Sequence, residues 1–185
     1  DLSAFYFDIR KDSLYCDSKD SKKRQSTIIL LNVILNSLLR WFAPILSFTT
    51  EEIHRLIMND NKSIHLTKFL EFPKNFKNEN LNQKWLELIK IRNVCNISIE
   101  EKRASKEIGS SLEASLKINL DKKLTDISQN IDFSELCITS SAEVSYFENS
   151  ETKVQTTKAE GSKCQVCWKI TKDACSRKTC PQHTE

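Results

Sequence analysis

The pattern of apolar positions is most regular between residues 26 and 57. In its first half, apolar residues recur at three- and four-residue steps, which places them on one face of an α-helix. The residues of this face are Ile28, Leu31, Leu35, Leu38, Leu39 and Phe42. Further apolar residues widen the face, so we expect the helix to be covered on more than one side. Pro44 disfavours a helical backbone at Ala43, so the helix is predicted to end or bend there.

A second helix is predicted directly after this one. Residues 49–52 read Thr-Thr-Glu-Glu, which is a capping-box pattern. The hydroxyl of Thr49 can accept from the amide of Glu52 while the Glu52 carboxylate reaches back to the start of the helix. Two helices that are joined by a short turn must pack side by side, so we expect a helical hairpin that forms part of a bundle.

Weaker patterns predict the elements around this hairpin. Residues 1–17 read as the end of a helix, and a second long helix is predicted from Leu81 to a stop at Gly109. Residues 112–120 then alternate apolar and polar, as a half-buried strand does, and Asp121 can cap a short helix. We expect two further short strands, one at residues 136–138 and one at residues 144–146. Residues 59–80 and 149–161 read as linkers, with one strand step at Val154.

These elements predict a mainly α fold with three parts. A helical bundle is expected over residues 1–72, a long helix with a small α/β unit over 79–148, and a cysteine-bearing tail over 160–185. The chain has 185 residues with only 2 Gly and 3 Pro, a composition that favours helix over turn-rich β structure. Because it opens at Asp1, inside what reads as an ongoing helix, we interpret it as a C-terminal piece of a longer protein.

Charge and hydropathy limit the compartment and the partners. The net charge of +3 and the pI of about 8.4 permit a nucleic-acid partner. No apolar run approaches the roughly 20 residues that span a bilayer, so we expect no membrane segment. There are 7 Cys, and four of them lie between residues 164 and 180, which favours thiolate–metal chemistry over disulfides and hence the cytosol.

The cysteine tail predicts one structural zinc site. Cys164 and Cys167 have the spacing of a zinc knuckle, and Cys180 is expected as a third ligand. The fourth ligand is either Cys175, which gives an all-thiolate site, or His183, which repeats the two-residue spacing after Cys180. A tail with so few apolar residues cannot bury a core, and metal binding would supply the missing free energy of folding.

Basic residues and one tryptophan are candidates for RNA contacts. Lys and Arg on a helical surface contact phosphates, whereas exposed aromatic rings stack on unpaired bases. The candidates are Arg10, Lys11, Lys22, Lys23, Arg24, Trp168 and Lys169. Two alternatives stay open: the triplet 22–24 can be a solvated helix end, and Trp168 can be a cap over the metal site.

Several segments carry a resemblance to a known family. They read LSAFYFDIRKDSLYCD from Leu2, LLRWFAPILSFTTEEI from Leu38, SIHL from Ser63, EEKRASKEIGSSLEASLKINL from Glu100 and KCQVCW from Lys163. Their order and content resemble the anticodon-binding region of bacterial isoleucyl-tRNA synthetase, a class Ia aminoacyl-tRNA synthetase. The family has two C-x-x-C pairs with a longer insert than Cys167 to Cys175 allows, so the resemblance does not choose the fourth zinc ligand.

The resemblance implies an anticodon-binding helical bundle, a small α/β junction and a C-terminal zinc knuckle. It implies a monomer that holds the anticodon arm of isoleucine tRNA, in a cytoplasmic ligase that joins isoleucine to tRNA using ATP. No Gly-rich phosphate loop or catalytic signature is visible, so we assign no catalytic residue and expect ATP and Mg only in a separate catalytic domain. The alternatives are a sister synthetase for valine, leucine or methionine, and a stand-alone zinc-binding interaction module.

Overall fold

A computed structural model describes residues 2–58, 62–149 and 151–172. The chain divides into two compact units. We call Lys19–Lys77 the hairpin unit, and Asp1–Ser18 together with Asn78–Glu185 the sheet unit. The fold is mainly α with a small sheet, as predicted. This division by compactness does not test the three predicted domains, which stay a prediction.

The hairpin unit contains two long helices. Helix α2 spans Lys22–Phe42 and α3 spans Ser47–Met58, and short 3₁₀ turns follow at Ile64–Leu66 and Lys74–Phe76. The Ser21 side chain caps α2 by accepting from the Arg24 amide at 3.4 Å. Helix α2 ends at Phe42, just before Ala43 and Pro44, so the predicted stop is confirmed.

The core of the hairpin unit is narrower than the apolar pattern predicted. Leu39, Ala43 and Ile64 are buried, and Leu35 and Ile53 pack against them. Much of the remaining apolar face of α2 is exposed, including Ile28, Ile29, Leu30 and Phe42. The expected cover on more than one side is found only in part: Ser37 and Leu39, on opposite sides of α2, are both buried, whereas the first half of the apolar face is exposed.

The start of α3 also differs from the prediction. The helix begins at Ser47, so Thr49 lies inside it and cannot act as the N-cap. The Thr50 hydroxyl donates back to the Leu46 carbonyl at 3.0 Å. Glu51 holds the segment that follows the helix. Its carboxylate accepts from the Ser63 hydroxyl at 2.8 Å and from the Ile64 amide at 2.9 Å. These two hydrogen bonds fix the chain that leaves α3.

The sheet unit begins with a short helix and continues with a long one. A π-helical segment, Leu2–Phe7, leads into α1 at Asp8–Tyr15, and α4 spans Glu79–Ala104. The predicted stop at Gly109 is wrong, because α4 ends five residues earlier. Lys106 takes the left-handed conformation there with φ 60°, and the Glu107 amide donates to the Lys102 carbonyl at 3.1 Å. This is the hydrogen bond of a Schellman stop, formed here without glycine.

A three-stranded sheet packs against α4. Its strands are β1 (Ala114–Asp121), β2 (Ser141–Phe147) and β3 (Lys153–Lys158), in the order β2-β1-β3. Strand β1 pairs parallel with β2 and antiparallel with β3. Between β1 and β2 lie the 3₁₀ turn Lys122–Leu124 and the short helices α5 (Thr125–Ser128) and α6 (Phe133–Leu136).

The alternation predicted for β1 is confirmed, because every second residue from Ala114 to Leu120 is buried. The strand starts two residues later than predicted, since Leu112 lies in the 3₁₀ turn Ser111–Glu113. The cap at Asp121 is also confirmed, as its carboxylate accepts from the Lys123 amide at 2.8 Å.

Of two predictions about short segments, one is wrong and one is right in part. Residues 136–138 form no strand, because Asp132 accepts from the amides of Ser134 and Glu135 and starts the short helix α6 instead. The strand step predicted at Val154 is confirmed, but it belongs to the six-residue strand β3, so residues 149–161 are not simply a linker.

The core of the sheet unit fixes α1 beside the sheet. Leu88, Cys95 and Ile99 from α4 pack with the buried residues of β1, and Phe5 and Ile9 pack onto this cluster. No helix among residues 2–58, 62–149 and 151–172 is long and apolar enough to cross a membrane.

Candidate nucleic-acid interface and cysteine knuckle

The segment from Cys164 to Lys169 forms a tight turn that brings the two thiols together. The Val166 amide donates to the Cys164 Sγ at 3.3 Å, and the Trp168 amide donates to the Cys164 carbonyl at 3.1 Å. The turn closes where the Cys164 amide donates to the Lys169 carbonyl at 2.8 Å. Both thiols are buried. An amide that donates to the first sulfur of a C-x-x-C turn favours the thiolate, which is the form that binds a metal.

A two-stranded ribbon holds the knuckle. Strand β4 (Ser162–Lys163) pairs antiparallel with β5 (Ile170–Thr171). Gly161 precedes β4 with φ 132°, and a Cβ there would lie 2.1 Å from the Thr171 carbonyl oxygen. Glycine is therefore required at this position for the ribbon to close. The Ile170 amide also donates to the Ser140 hydroxyl at 2.6 Å, which ties the ribbon to the chain before β2.

The described residues include two of the four predicted zinc ligands. Burial raises the pKa of the Cys167 thiol to about 12, so a bound cation would be needed to hold it as a thiolate. Among the described residues no three His, Cys, Asp or Glu are arranged to hold a metal ion. Cys175, Cys180 and His183 lie outside the described residues, so the full ligand set stays a prediction. The geometry of Cys164 and Cys167 fits two of the four ligands of a structural zinc site.

Helix α1 is fastened to the knuckle by two contacts. The Lys169 ammonium lies 3.6 Å from the Asp12 carboxylate, and the Lys169 side chain is only 9% exposed while that of Asp12 is 33% exposed. One turn further along α1, the Cys16 thiol donates to the Val166 carbonyl with a separation of 3.6 Å. Cys16 thus packs against the knuckle, although about 150 residues separate the two along the chain. A long-range contact of this kind leaves no signal in the local sequence.

A cavity of about 520 Å³ lies within the sheet unit, beside the knuckle. Four segments form its walls: helix α1, residues 110–112, residues 134–138 and the knuckle. Its lining includes Lys11, Tyr15, Ser110, Ser111, Trp168 and Lys169. Lys11, Trp168 and Lys169 were among the candidates from sequence. The residue types of Tyr15, Ser110 and Ser111 carry no binding signal by themselves, so only the fold shows that they face one space.

Three of the predicted basic candidates form ion pairs around this cavity. Arg10 lies 2.8 Å from Glu135, Lys11 lies 2.6 Å from Asp8, and Lys169 pairs with Asp12. Of the three, only the ammonium of Lys11 is largely exposed. Their roles in RNA binding stay a prediction, and the geometry shows that each cation already neutralises a carboxylate.

The remaining basic candidates belong to the hairpin unit. Lys22, Lys23 and Arg24 form the first turn of α2, where Lys22 and Lys23 are exposed and Arg24 is partly buried. Cations at the N-terminus of a helix face the positive end of its dipole, which is an unfavourable position that a bound phosphate would offset. This position is compatible with a phosphate contact and equally with a solvated helix end.

Trp168 is exposed although it is a large aromatic residue. Its indole is 60% exposed, and its backbone is left-handed with φ 64°. The Lys163 ammonium lies 5.5 Å from the ring centroid, as in a cation–π contact. An indole that is 60% exposed retains surface on which a base could stack.

The comparisons with known proteins agree with this architecture. A family model described as the anticodon-binding domain of tRNA ligase matches residues 1–118. The match covers more than half of the chain, which therefore belongs to the family of tRNA ligase anticodon-binding domains.

Within that family the similar relatives are isoleucine--tRNA ligases. The chain is 65% identical over 177 residues to the isoleucine--tRNA ligase of Pelagibacter ubique, an alignment that covers 96% of the chain and 20% of that relative. It is 40% identical over 184 residues to the isoleucine--tRNA ligase of Agrobacterium fabrum, with 94% of the chain and 19% of the relative covered. The chain thus spans about a fifth of the length of the curated relatives it matches.

Proposed function

We propose that this chain is the anticodon-arm-binding region of an isoleucine--tRNA ligase. In that enzyme it would hold isoleucine tRNA while other domains join isoleucine to the tRNA with ATP. The observation that carries the proposal is the match of residues 1–118 to the anticodon-binding domain, supported by the similarity to the isoleucine--tRNA ligases of Pelagibacter ubique and Agrobacterium fabrum. On this proposal the enzyme is a cytoplasmic monomer.

The contribution of this region is positional. Binding energy at the anticodon arm orients the tRNA, so that its 3′ end reaches a distant active site without further loss of freedom. Basic side chains such as those of Lys22 and Lys23 would contact phosphates and supply affinity, while Trp168 would stack on an unpaired base. ATP and Mg would bind outside this chain.

The experiment is a titration of purified isoleucine tRNA with the 185-residue chain at several salt concentrations. We expect binding whose affinity falls steeply with salt, because phosphate contacts release counterions. Replacing Lys22 and Lys23 together by Ala should reduce the salt slope by about 1 to 2. Lys74→Ala together with Lys77→Ala, at exposed positions of the same unit, is the matched control. Absence of any tRNA binding would refute the proposal and favour a stand-alone interaction module.

We further propose that Cys164 and Cys167 bind one structural zinc ion with Cys180 and either Cys175 or His183. The support is that both thiols are buried and that the Val166 amide donates a hydrogen bond to Cys164 Sγ. The ion would supply charge to hold the thiolates and free energy to fold the tail.

Zinc content per chain tests this site. One zinc is expected in the parent and none in Cys164→Ser. Comparing Cys175→Ser with His183→Ala identifies the fourth ligand, since only one of the two should release the metal. A parent chain without zinc would contradict the site.

A further inference from the structure

Two buried cysteines belong neither to the proposed zinc site nor to the proposed RNA contacts. Cys95 lies in α4, and Cys137 is the C-cap of the short helix α6. Cys95 is 0% exposed and Cys137 is 3% exposed, and both are members of the core cluster of the sheet unit. About 40 residues separate them along the chain, so it is the fold that brings the two thiols into one core.

The two thiols are hydrogen-bonded to each other. The S–H of Cys137 donates to the sulfur of Cys95. A buried cysteine without a sulfur neighbour behaves as a small apolar side chain. Two sulfurs that share a hydrogen bond are direct neighbours, which is the first requirement for a disulfide. The pair therefore has the arrangement of a reduced dithiol.

A cation lies beside this pair. Arg92 precedes Cys95 by one turn of α4, and its Nε donates to the Leu136 carbonyl, next to Cys137, at 2.9 Å. The hydrogen bond from Cys137 lowers the pKa of the Cys95 thiol below 9.0, and the positive charge of Arg92 acts in the same direction. Because the thiolate is the nucleophilic form of cysteine, Cys95 is the member of the pair that is prepared to react first.

Burial limits how the pair can react. A thiol that is closed off from solvent is inert until the structure opens locally. Two neighbouring elements are short: α6 has four residues and ends directly before Cys137, and Leu2–Phe7, which packs onto the same core through Phe5, has no buried residue. Local opening of such elements requires less free energy than global unfolding, so a small oxidant can reach the thiols in an otherwise folded chain.

We infer that Cys95 and Cys137 are a redox-active dithiol, a modification site that a small hydroperoxide converts to an intramolecular disulfide. In the first step the Cys95 thiolate attacks one oxygen of hydrogen peroxide, the O–O bond breaks, and Cys95 sulfenic acid and water form. In the second step the Cys137 sulfur attacks the Cys95 sulfur, the S–O bond breaks, and the S–S bond forms with release of a second water. The two thiols lose two electrons and two protons, and the peroxide becomes two molecules of water.

The disulfide would join α4 to the segment that precedes β2. It would close a loop of about 40 residues that contains β1, and such a cross-link stabilises a protein mainly by restricting its unfolded chain. Oxidation would therefore stabilise the sheet unit, and a thiol reductant would reverse the effect. Reversible disulfides of this kind are compatible with a reducing compartment. The inference depends neither on RNA binding nor on zinc.

Mass mapping of the oxidised 185-residue chain tests this inference. The reduced chain is treated with hydrogen peroxide without denaturant, its remaining thiols are blocked with N-ethylmaleimide, and it is digested with trypsin. Cys95 and Cys137 fall in the tryptic peptides 93–102 and 124–153, which contain no other cysteine. We expect these two peptides to be joined with the loss of two hydrogens, and to be separated again by dithiothreitol. The joined chain should also unfold at a higher urea concentration than the reduced chain.

Single variants distinguish the roles of the two thiols. In Cys137→Ala the sulfenic acid of Cys95 has no partner, so dimedone should label peptide 93–102. In Cys95→Ala peptide 124–153 should stay unlabelled, because the nucleophile is absent. Cys16→Ala is the matched control, since Cys16 is another free thiol of the sheet unit, and this variant should retain the joined peptides. Circular dichroism verifies that each variant is folded.

Several results would overturn the inference. Peptides that stay separate in the oxidised parent would show that the pair only packs, whatever happens to the other thiols. Peptides that join only in urea would place the reaction in the unfolded chain. Dimedone labelling of peptide 124–153 in Cys95→Ala would contradict the order of the two steps, and joined peptides without a higher urea midpoint would contradict the stabilising effect.

Discussion

The ion pair between Asp12 and Lys169 gives a sharp test of how the knuckle is held on α1. Its two atoms are 3.6 Å apart, which is longer than the 2.6 Å between Lys11 and Asp8 on the same helix. Distance alone would rank the Lys11 pair as the stronger one. Burial reverses that order, because the Lys169 side chain is 9% exposed and the Lys11 side chain 65%.

The expected loss of stability depends on which partner of the ion pair remains after the substitution. Asp12→Asn leaves a buried ammonium without its carboxylate, and such a change costs about 3–5 kcal/mol. Because Asp12 is a third exposed, we take the lower end, about 3 kcal/mol. Lys169→Met leaves a carboxylate whose side chain is a third exposed, so we expect about 1 kcal/mol, the low end of the cost of an unpaired polar group. Asp8→Asn breaks only an exposed pair and should cost less than about 0.5 kcal/mol.

Hydrogen exchange of the Cys164 amide measures these costs locally. That amide is bonded to the Lys169 carbonyl inside the knuckle, so its exchange reports opening of the turn. We expect exchange about 100-fold faster in Asp12→Asn, several-fold faster in Lys169→Met and nearly unchanged in Asp8→Asn. Equal effects in Asp12→Asn and Asp8→Asn, or a larger effect in Lys169→Met, would refute the reasoning.

Three further predictions concern the rest of the chain. Hydrogen bonds from the Ile64 amide and the Ser63 hydroxyl lower the pKa of Glu51 below 4.5. The stability that these bonds contribute is therefore complete above pH 4.5 and is lost as the pH falls through the lowered pKa. Glu51→Gln should reduce the fall of unfolding free energy at acid pH in a urea-unfolding series, and an unchanged fall would contradict this prediction. Both ring nitrogens of the buried His54 lack a hydrogen-bond partner among the described residues, so His54→Leu should stabilise the hairpin unit by about 1–3 kcal/mol, and a lower Tm would contradict this. Leu116→Ala in the central strand should cost about 2–5 kcal/mol in urea unfolding, whereas Lys117→Ala on the opposite face should be nearly neutral.

The sequence predicted those elements whose signal is local and repeated. Helix α2 ends where Pro44 requires it, and β1 shows the alternation that a half-buried strand must have. The predictions of helix boundaries failed where two nearby residues could each begin or end the helix. Thr49 has good capping chemistry but α3 starts at Ser47, and Lys106 takes a left-handed stop that glycine usually provides. In both places the surrounding chain determined the boundary.

The site was less predictable than the fold. The C-x-x-C spacing identified the knuckle, since both thiols come from one turn. The cavity could not be predicted, because it joins segments that are more than 100 residues apart, such as Tyr15 and Trp168. The ion pairs of the basic candidates could not be predicted either. Arg10 and Lys169 each lie beside a carboxylate supplied by a distant segment, and their contact with phosphates stays a prediction.

The most direct test of the central claim is an anticodon exchange. The 185-residue chain is titrated with isoleucine tRNA and with the same tRNA body carrying a valine anticodon, in identical salt. If this region reads the anticodon, binding of the native tRNA should be about tenfold tighter or more, which is the effect of roughly 1.4 kcal/mol at a single base. Equal affinity for the two tRNAs would contradict anticodon recognition by this chain.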